Sequence, residues 1–136
     1  MNNIKIKKID PTARGLLFYE NNFDAGMDIC SNEEVTLESF SPRKISTGIS
    51  MQIPDNKVAL VWDKSSVSAN GLKVMGGVID ARYRGEIFIT LINLTKETIV
   101  IPKGKRIAQI IIQNYIRISS LKEVDELGEG FGHKDF

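Results

Sequence analysis

The sequence holds one cysteine and one histidine in 136 residues. Cys30 alone forms no intrachain disulfide, which fits a reducing compartment. The start, MNNIKIKKID, is charged and alternating and lacks the apolar stretch of a secretory signal. The longest apolar run, Ile107 to Ile112, is broken by Gln109 and falls far short of the ~18 residues of a membrane span. Net charge is only +1, so there is no broad electrostatic footprint for duplex nucleic acid or an anionic membrane. A small phosphate ligand needs only a few local cations and is not excluded. Internal repeats and low-complexity linkers are also missing. These absences point to one cytoplasmic domain with no nucleic-acid and no membrane partner.

What the sequence does have is a period of two. Ile4 and Ile6 alternate with lysines, and Val35 and Leu37 alternate with Thr36 and Glu38. Ile45, Ile49, Met51 and Ile53 share a stretch ending at Pro54, and Val58 to Trp62 is a short apolar run. Ile87 to Leu94 and Ile107 to Ile118 are β-branched and long enough for strands. Turn signals at Asp55-Asn56, Asn70-Gly71, Gly76-Gly77 and Pro102-Lys103-Gly104 separate them. The spacing predicts an all-β jelly roll, barrel or sandwich. At most one short helix is expected, near Ser65 to Asn70, capped by Ser65 or Ser66. From Ser119 to Phe136 the periodicity is lost, and residues 119–136 read as an arm on a domain of residues 1–118.

Five stretches carry groups suited to chemistry. Ala25-Gly26-Met27-Asp28-Ile29 sets a carboxylate at a strand start, as turn geometry or beside a hydrated Mg²⁺. Asp63-Lys64-Ser65-Ser66 reads either as an anion site or as a serine-capped turn. In GGVIDARYRGE, Gly76 and Gly77 permit close backbone approach, Asp80 starts a turn, and Tyr83 offers a flat surface for a sugar. The plain reading of that stretch is a well-made hairpin. KGKRIAQIII places Gln109 inside an apolar strand, where it needs a polar partner or a water. In Gly128-Glu129-Gly130-Phe131-Gly132, Phe131 could lie flat on a base, or the glycines mark a loose tail. His133 reads as a solvated tail residue rather than a general base.

In this order, from Ala25 to Gly132, the five stretches resemble the five motifs of the trimeric dUTP diphosphatase family. The resemblance implies a jelly-roll-like fold and a homotrimer whose active sites are shared, the arm completing a neighbour's site. It implies hydrolysis of dUTP to dUMP and pyrophosphate. Asp80 would activate a water for in-line attack on the α-phosphorus, with Gln109 helping to fix that water. Mg²⁺ would bridge the phosphates, held by Asp28 through water. Lys64, Ser65 and Ser66 would contact the phosphates, Tyr83 would pack on the deoxyribose, and Phe131 would cap the uracil. The backbone around Gly76, Gly77 and Val78 would pair with uracil's O4 and N3–H. Cytosine reverses both groups, and two unpaired polar groups would give ~2–6 kcal/mol of discrimination.

The match departs from the family pattern in places. Lys64 stands where the family usually has Arg, keeping the charge but losing the planar fork. Glu126 stands at the arm's usual Arg position, with His133 and Lys134 in place of hydroxyl residues; Lys134 would supply a cation in compensation. Two other readings follow from these features: a catalytically weak, dUTP-binding regulatory relative, and a dCTP deaminase. Thr90 stands where the deaminases carry a catalytic glutamate.

Overall fold

The computed structural model describes residues 3–133. The alternating stretches become strands: β1 (Lys5–Lys8), β2 (Met27–Cys30), β3 (Val35–Leu37), β4 (Pro42–Ser46), β5 (Ile49–Gln52) and β6 (Lys57–Trp62). One helical turn follows, α1 (Ser65–Ser68). Then come β7 (Leu72–Met75), β8 (Val78–Ile79), β9 (Phe88–Asn93), β10 (Ile99–Ile101) and β11 (Arg106–Asn114). Among the described residues the expected all-β chain with a single short helix is observed.

The strands form four sheets, ordered β2-β11-β6-β8, β4-β9-β7, β1-β5 and β10-β3, and every named pair is antiparallel. Inward positions of these strands, apart from β1 and β8, which hold no buried residue, supply one core. Ile29, Val35, Leu37, Ile45, Ile49, Ile89, Leu91, Ile101, Ile107 and Ile110 are essentially sealed from solvent. Each buried aliphatic side chain contributes about 1.5–3 kcal/mol over its exposed state, and their number fixes which face of each strand points inward.

Four expectations need correction. Ser65 and Ser66 do not cap α1: the N-cap position is Lys64, no side chain bonds there, and both serines are exposed. β11 ends at Asn114 rather than reaching Ile118: the Tyr115 N–H keeps one last long bond, 3.4 Å to the Asn56 carbonyl, and Ile116 beyond it faces solvent. Leu72–Met75 and Ile99–Ile101 are strands too short for periodicity to reveal; pairing with β9 and β3 defines them.

The fourth correction concerns Gly76 to Glu86, which is not a paired hairpin. β8 bonds β6 in one sheet, while β9 lies between β4 and β7 in another. Gly76 (φ 74°) and Gly77 (φ 120°) make the crossing from β7 to β8. At Gly77 a Cβ would press on the carbonyl of Val61, so only glycine fits without strain.

Candidate active site

β11 runs between β2 and β6 and brings three of the five stretches together. Gln109 pairs with Asp28 on one side and with Trp62 on the other. The next residue after Trp62 leads into the Lys64 turn. A cavity of about 270 Å³ opens here, lined by Gly26, Asp28, Lys64, Arg106 and Gln109, with Glu20 and Asp24 at its edge.

Its polar groups are tightly cross-linked. Lys64 Nζ donates to both oxygens of Asp28, at 3.2 and 3.1 Å. Arg106 Nη1 donates to Asp28 Oδ2 at 3.0 Å and lies 3.3 Å from Glu20 Oε1. The bond to Asp28 raises the Arg106 pKa above its ordinary value, against the opposing effect of burial. Gln109 Nε2 donates to the Asp63 carbonyl at 2.9 Å. That fixes the amide and leaves its second N–H for another acceptor. Gly26 makes room for it, since a Cβ at that position would overlap Gln109 Oε1.

Asp63 braces this corner from behind. Its carboxylate accepts the Val74 N–H at 2.7 Å and pairs with Lys73. Burial pushes the Asp63 pKa up, but the bonds from Lys73 and Val74 outweigh it, and the group sits below its ordinary value. The end of β6 is thereby tied to β7, and Lys64 is presented to the cavity.

Asp80 and Tyr83 lie elsewhere. They line a second cleft of about 320 Å³ with Lys44, Val78, Ile79, Glu86, Ile87, Phe88 and Thr90. The two cavities share no lining residue. The register shows why. Ile79 faces Ala59, three residues along β6 from Trp62, which faces Gln109. At ~3.3 Å per residue, Asp80 is displaced by more than ~10 Å along the sheet from Gln109.

The second cleft has a main-chain edge. The Val61 N–H donates to the Gly77 carbonyl at 2.8 Å. Antiparallel pairs alternate, so the N–H and C=O of the next residue, Val78, point away from β6. β8 is the outermost strand of its sheet, which leaves that edge open. Tyr83 folds back and donates from its hydroxyl to the Glu86 carbonyl at 2.7 Å. Gly85 allows it, because a Cβ there would strike the phenol oxygen.

The remaining expected residues stay outside both cavities. Ser65 and Ser66 are exposed on α1 and line neither. Gly76 has open space around it. Phe131 is fully exposed in an arm that forms no strand among the described residues. Lys134 lies outside the described residues.

Arg106 was missed in the sequence. Positions 106 and 109 fall on opposite faces of a regular strand, so period-two reasoning separates them. A β-bulge between Arg106 and Ala108 shifts the register against β2, and that extra residue lets both side chains face the cavity.

A family model described as dUTPase matches residues 15–134. The chain belongs to the dUTPase family. A deoxyuridine 5'-triphosphate nucleotidohydrolase of Rickettsia conorii is 42% identical over 139 residues, covering 95% of this chain and 94% of the relative. A solved dUTPase mutant of Staphylococcus bacteriophage 80alpha with dUpNHpp superposes with a TM-score of 0.83 at 30% identity, covering 100% of this chain and 97% of that one. A mutant dUTPase from phage phi11 of S. aureus, described with a structural Mg(II) ion, gives 0.82 at 28% identity, covering 92% and 98%. The dUTPase fold is jelly-roll-like, and the four sheets above are this chain's version of it.

Proposed function

We propose that this protein hydrolyses dUTP to dUMP and pyrophosphate, as a cytoplasmic homotrimer whose active sites are shared between subunits. One observation carries the reading. A single dUTPase-family chain divides the required groups between two cavities: one holds Asp28, Lys64 and Gln109, the other Asp80 and Tyr83. Neither is a whole active site, and association of copies would bring complementary halves together. The arm, residues 119–136, is exposed along its described part, 119–133, and is long enough to reach beyond its own domain and set Phe131 on a neighbour's uracil.

In this reading the open edge of Val78 bonds the base, and Tyr83 packs on the deoxyribose. The Asp80 carboxylate accepts a proton from a water aligned with the α-phosphorus. Gln109, held by the Asp63 carbonyl, turns its free N–H to that water or to a phosphate oxygen. Lys64 exchanges Asp28 for phosphate oxygens, and Arg106 keeps Asp28 in place.

The donor set suits Mg²⁺ bound through substrate and water. Among the described residues no three His, Cys, Asp or Glu side chains form a metal cage. Asp28, already paired with two cations, fits a role at the ion's water shell better than direct ligation. The chemistry such an ion supplies is offsetting charge on the triphosphate. Lys134 adds a cation for the far phosphates.

The test is pyrophosphate and ammonia release from dUTP, UTP, dCTP and dTTP, with Mg²⁺ or chelator, for the protein and its Asp80→Asn variant. Pyrophosphate from dUTP alone, abolished by the substitution, supports the reading. Full activity in the variant overturns the mechanism, nucleotide binding without turnover marks a regulatory relative, and ammonia from dCTP marks a deaminase. Against the last, Thr90 lines the cleft with a hydroxyl, a poor proton shuttle.

A further inference from the structure

The Asp80 cleft contains an aromatic ring that the mechanism above does not use. Phe88 opens β9 and is 40% exposed. Burial alternates along this strand, so Phe88 and Thr90 share its outer face. Lys44 is the cross-strand partner of Thr90, and its Nζ sits 4.1 Å from the centroid of the Phe88 ring. Both side chains line the cleft with Val78, Asp80 and Tyr83. A ring held on one face by a cation has little freedom left to lose. Its uncovered surface is a ready-made wall for a flat ligand bonded to the Val78 edge.

The charges of the cleft favour one kind of ligand edge. Of its two carboxylates, Glu86 is engaged by the Ser46 hydroxyl at 2.5 Å. Lys44 forms no ion pair among the described residues. An ammonium with no carboxylate to neutralise it, even seated on the Phe88 ring, attracts carbonyl oxygens and repels the partly positive amino group of cytosine.

We propose that Phe88 and Lys44 form a side-chain selector for the pyrimidine, Phe88 packing on the ring and Lys44 biasing the cleft toward the base with carbonyls at both positions. The proposal rests on the dUTP reading. It assigns to two specificity-determining side chains part of a discrimination that main-chain pairing alone would otherwise supply.

Binding of dUMP and dCMP to the whole protein, measured by calorimetry, tests it. Phe88→Ala should weaken dUMP binding about tenfold, the loss expected for a base–aromatic contact. Phe88→Leu keeps the bulk without the ring and should lie between. Lys44→Met keeps the apolar stem and should lower the dUMP-to-dCMP affinity ratio about threefold or more, a readout that a purely structural role would not move. Unchanged dUMP affinity in the Phe88 variants, or an unchanged ratio in Lys44→Met, overturns the selector. If Phe88→Ala does not fold, Phe88→Leu decides. Should the unaltered protein bind no deoxyuridine nucleotide, the dUTP reading falls and the selector with it. Binding by the unaltered protein with indifferent variants removes the selector alone.

Discussion

Lys64 and Arg106 hold the same carboxylate: Lys64 Nζ lies 3.1 Å and Arg106 Nη1 3.0 Å from Asp28 Oδ2. Shared in this way, Asp28 would, in the proposed reaction, release one partner to an incoming phosphate and keep the other. In the proposed reaction Lys64 is the member that would move, since Arg106 also meets Glu20.

Lys64→Ala should therefore raise KM for dUTP by about ten- to a hundredfold, the worth of one charge-assisted hydrogen bond. Lys64→Arg should retain affinity. Steady-state kinetics check this, and an unchanged KM in the alanine variant would remove Lys64 from the phosphate contacts.

Asp80→Asn should reduce kcat by about 10²–10⁴-fold, the range for a lost general base. Because Asp80 and Gln109 line different cavities, co-expressing Asp80→Asn with Gln109→Ala should restore activity. With random mixing, about one site in four would pair two intact halves. No recovery in mixed assemblies would count against shared sites.

Gly26→Ala should act through Gln109. The new Cβ competes with Gln109 Oε1, so the amide must leave the Asp63 carbonyl, lowering both kcat and the melting temperature. In a Gln109→Ala background the same change should cost less, since only the 3.0 Å approach to the Gln109 Cβ remains. A double-mutant cycle measures the coupling, and additive effects would refute it.

Stability at low pH should depend on Asp10. Its Oδ1 accepts the Thr12 N–H and hydroxyl at 2.9 and 2.8 Å, and Asn32 donates to Oδ2 at 3.1 Å. These bonds, the Thr12 N–H foremost, lower its pKa from 3.8 to about 2. The folded value lies below the unfolded one, so the contribution is complete above 3.8 and is lost as pH falls through about 2. Urea midpoints across that window should drop further for the unaltered protein than for Asp10→Asn. Parallel curves would show that Asp10 is irrelevant to acid stability.

Truncation at Asp125 should sharply lower activity and leave the melting temperature almost untouched. The removed residues described here are exposed, so the domain loses no packing. Retained activity would mean that Phe131 does not cap the base.

Strands with alternating side chains were legible in the sequence because half-burial imposes a period of two, and Val35–Leu37 falls where the pattern places it, while Lys57–Trp62 covers the apolar run from Val58. The resemblance set Asp28, Lys64 and Gln109 in one group with Asp80 and Tyr83, whereas the first three line one cavity and the other two another. The facing of Arg106 was not legible, because a bulge breaks the parity on which such reasoning depends. Ser65 and Ser66 looked like caps, yet the turn begins at Lys64, whose backbone is extended and whose side chain is drawn to Asp28. The Gly76–Glu86 stretch has the composition of a hairpin. Only tertiary pairing could assign its two strands to different sheets.

Those two sheets have a consequence for ligand discrimination. Gly76 and Gly77 hand the chain from one sheet to the other, so Val78 rides with β6 while Phe88 rides with β4. The opening between them is therefore a gauge set by how far apart the sheets sit, which the aliphatic filling between them determines. Trimming a remote interior side chain, such as Ile89 or Ile110, should loosen that calibration and admit a bulkier or differently substituted ring without altering any residue that touches it.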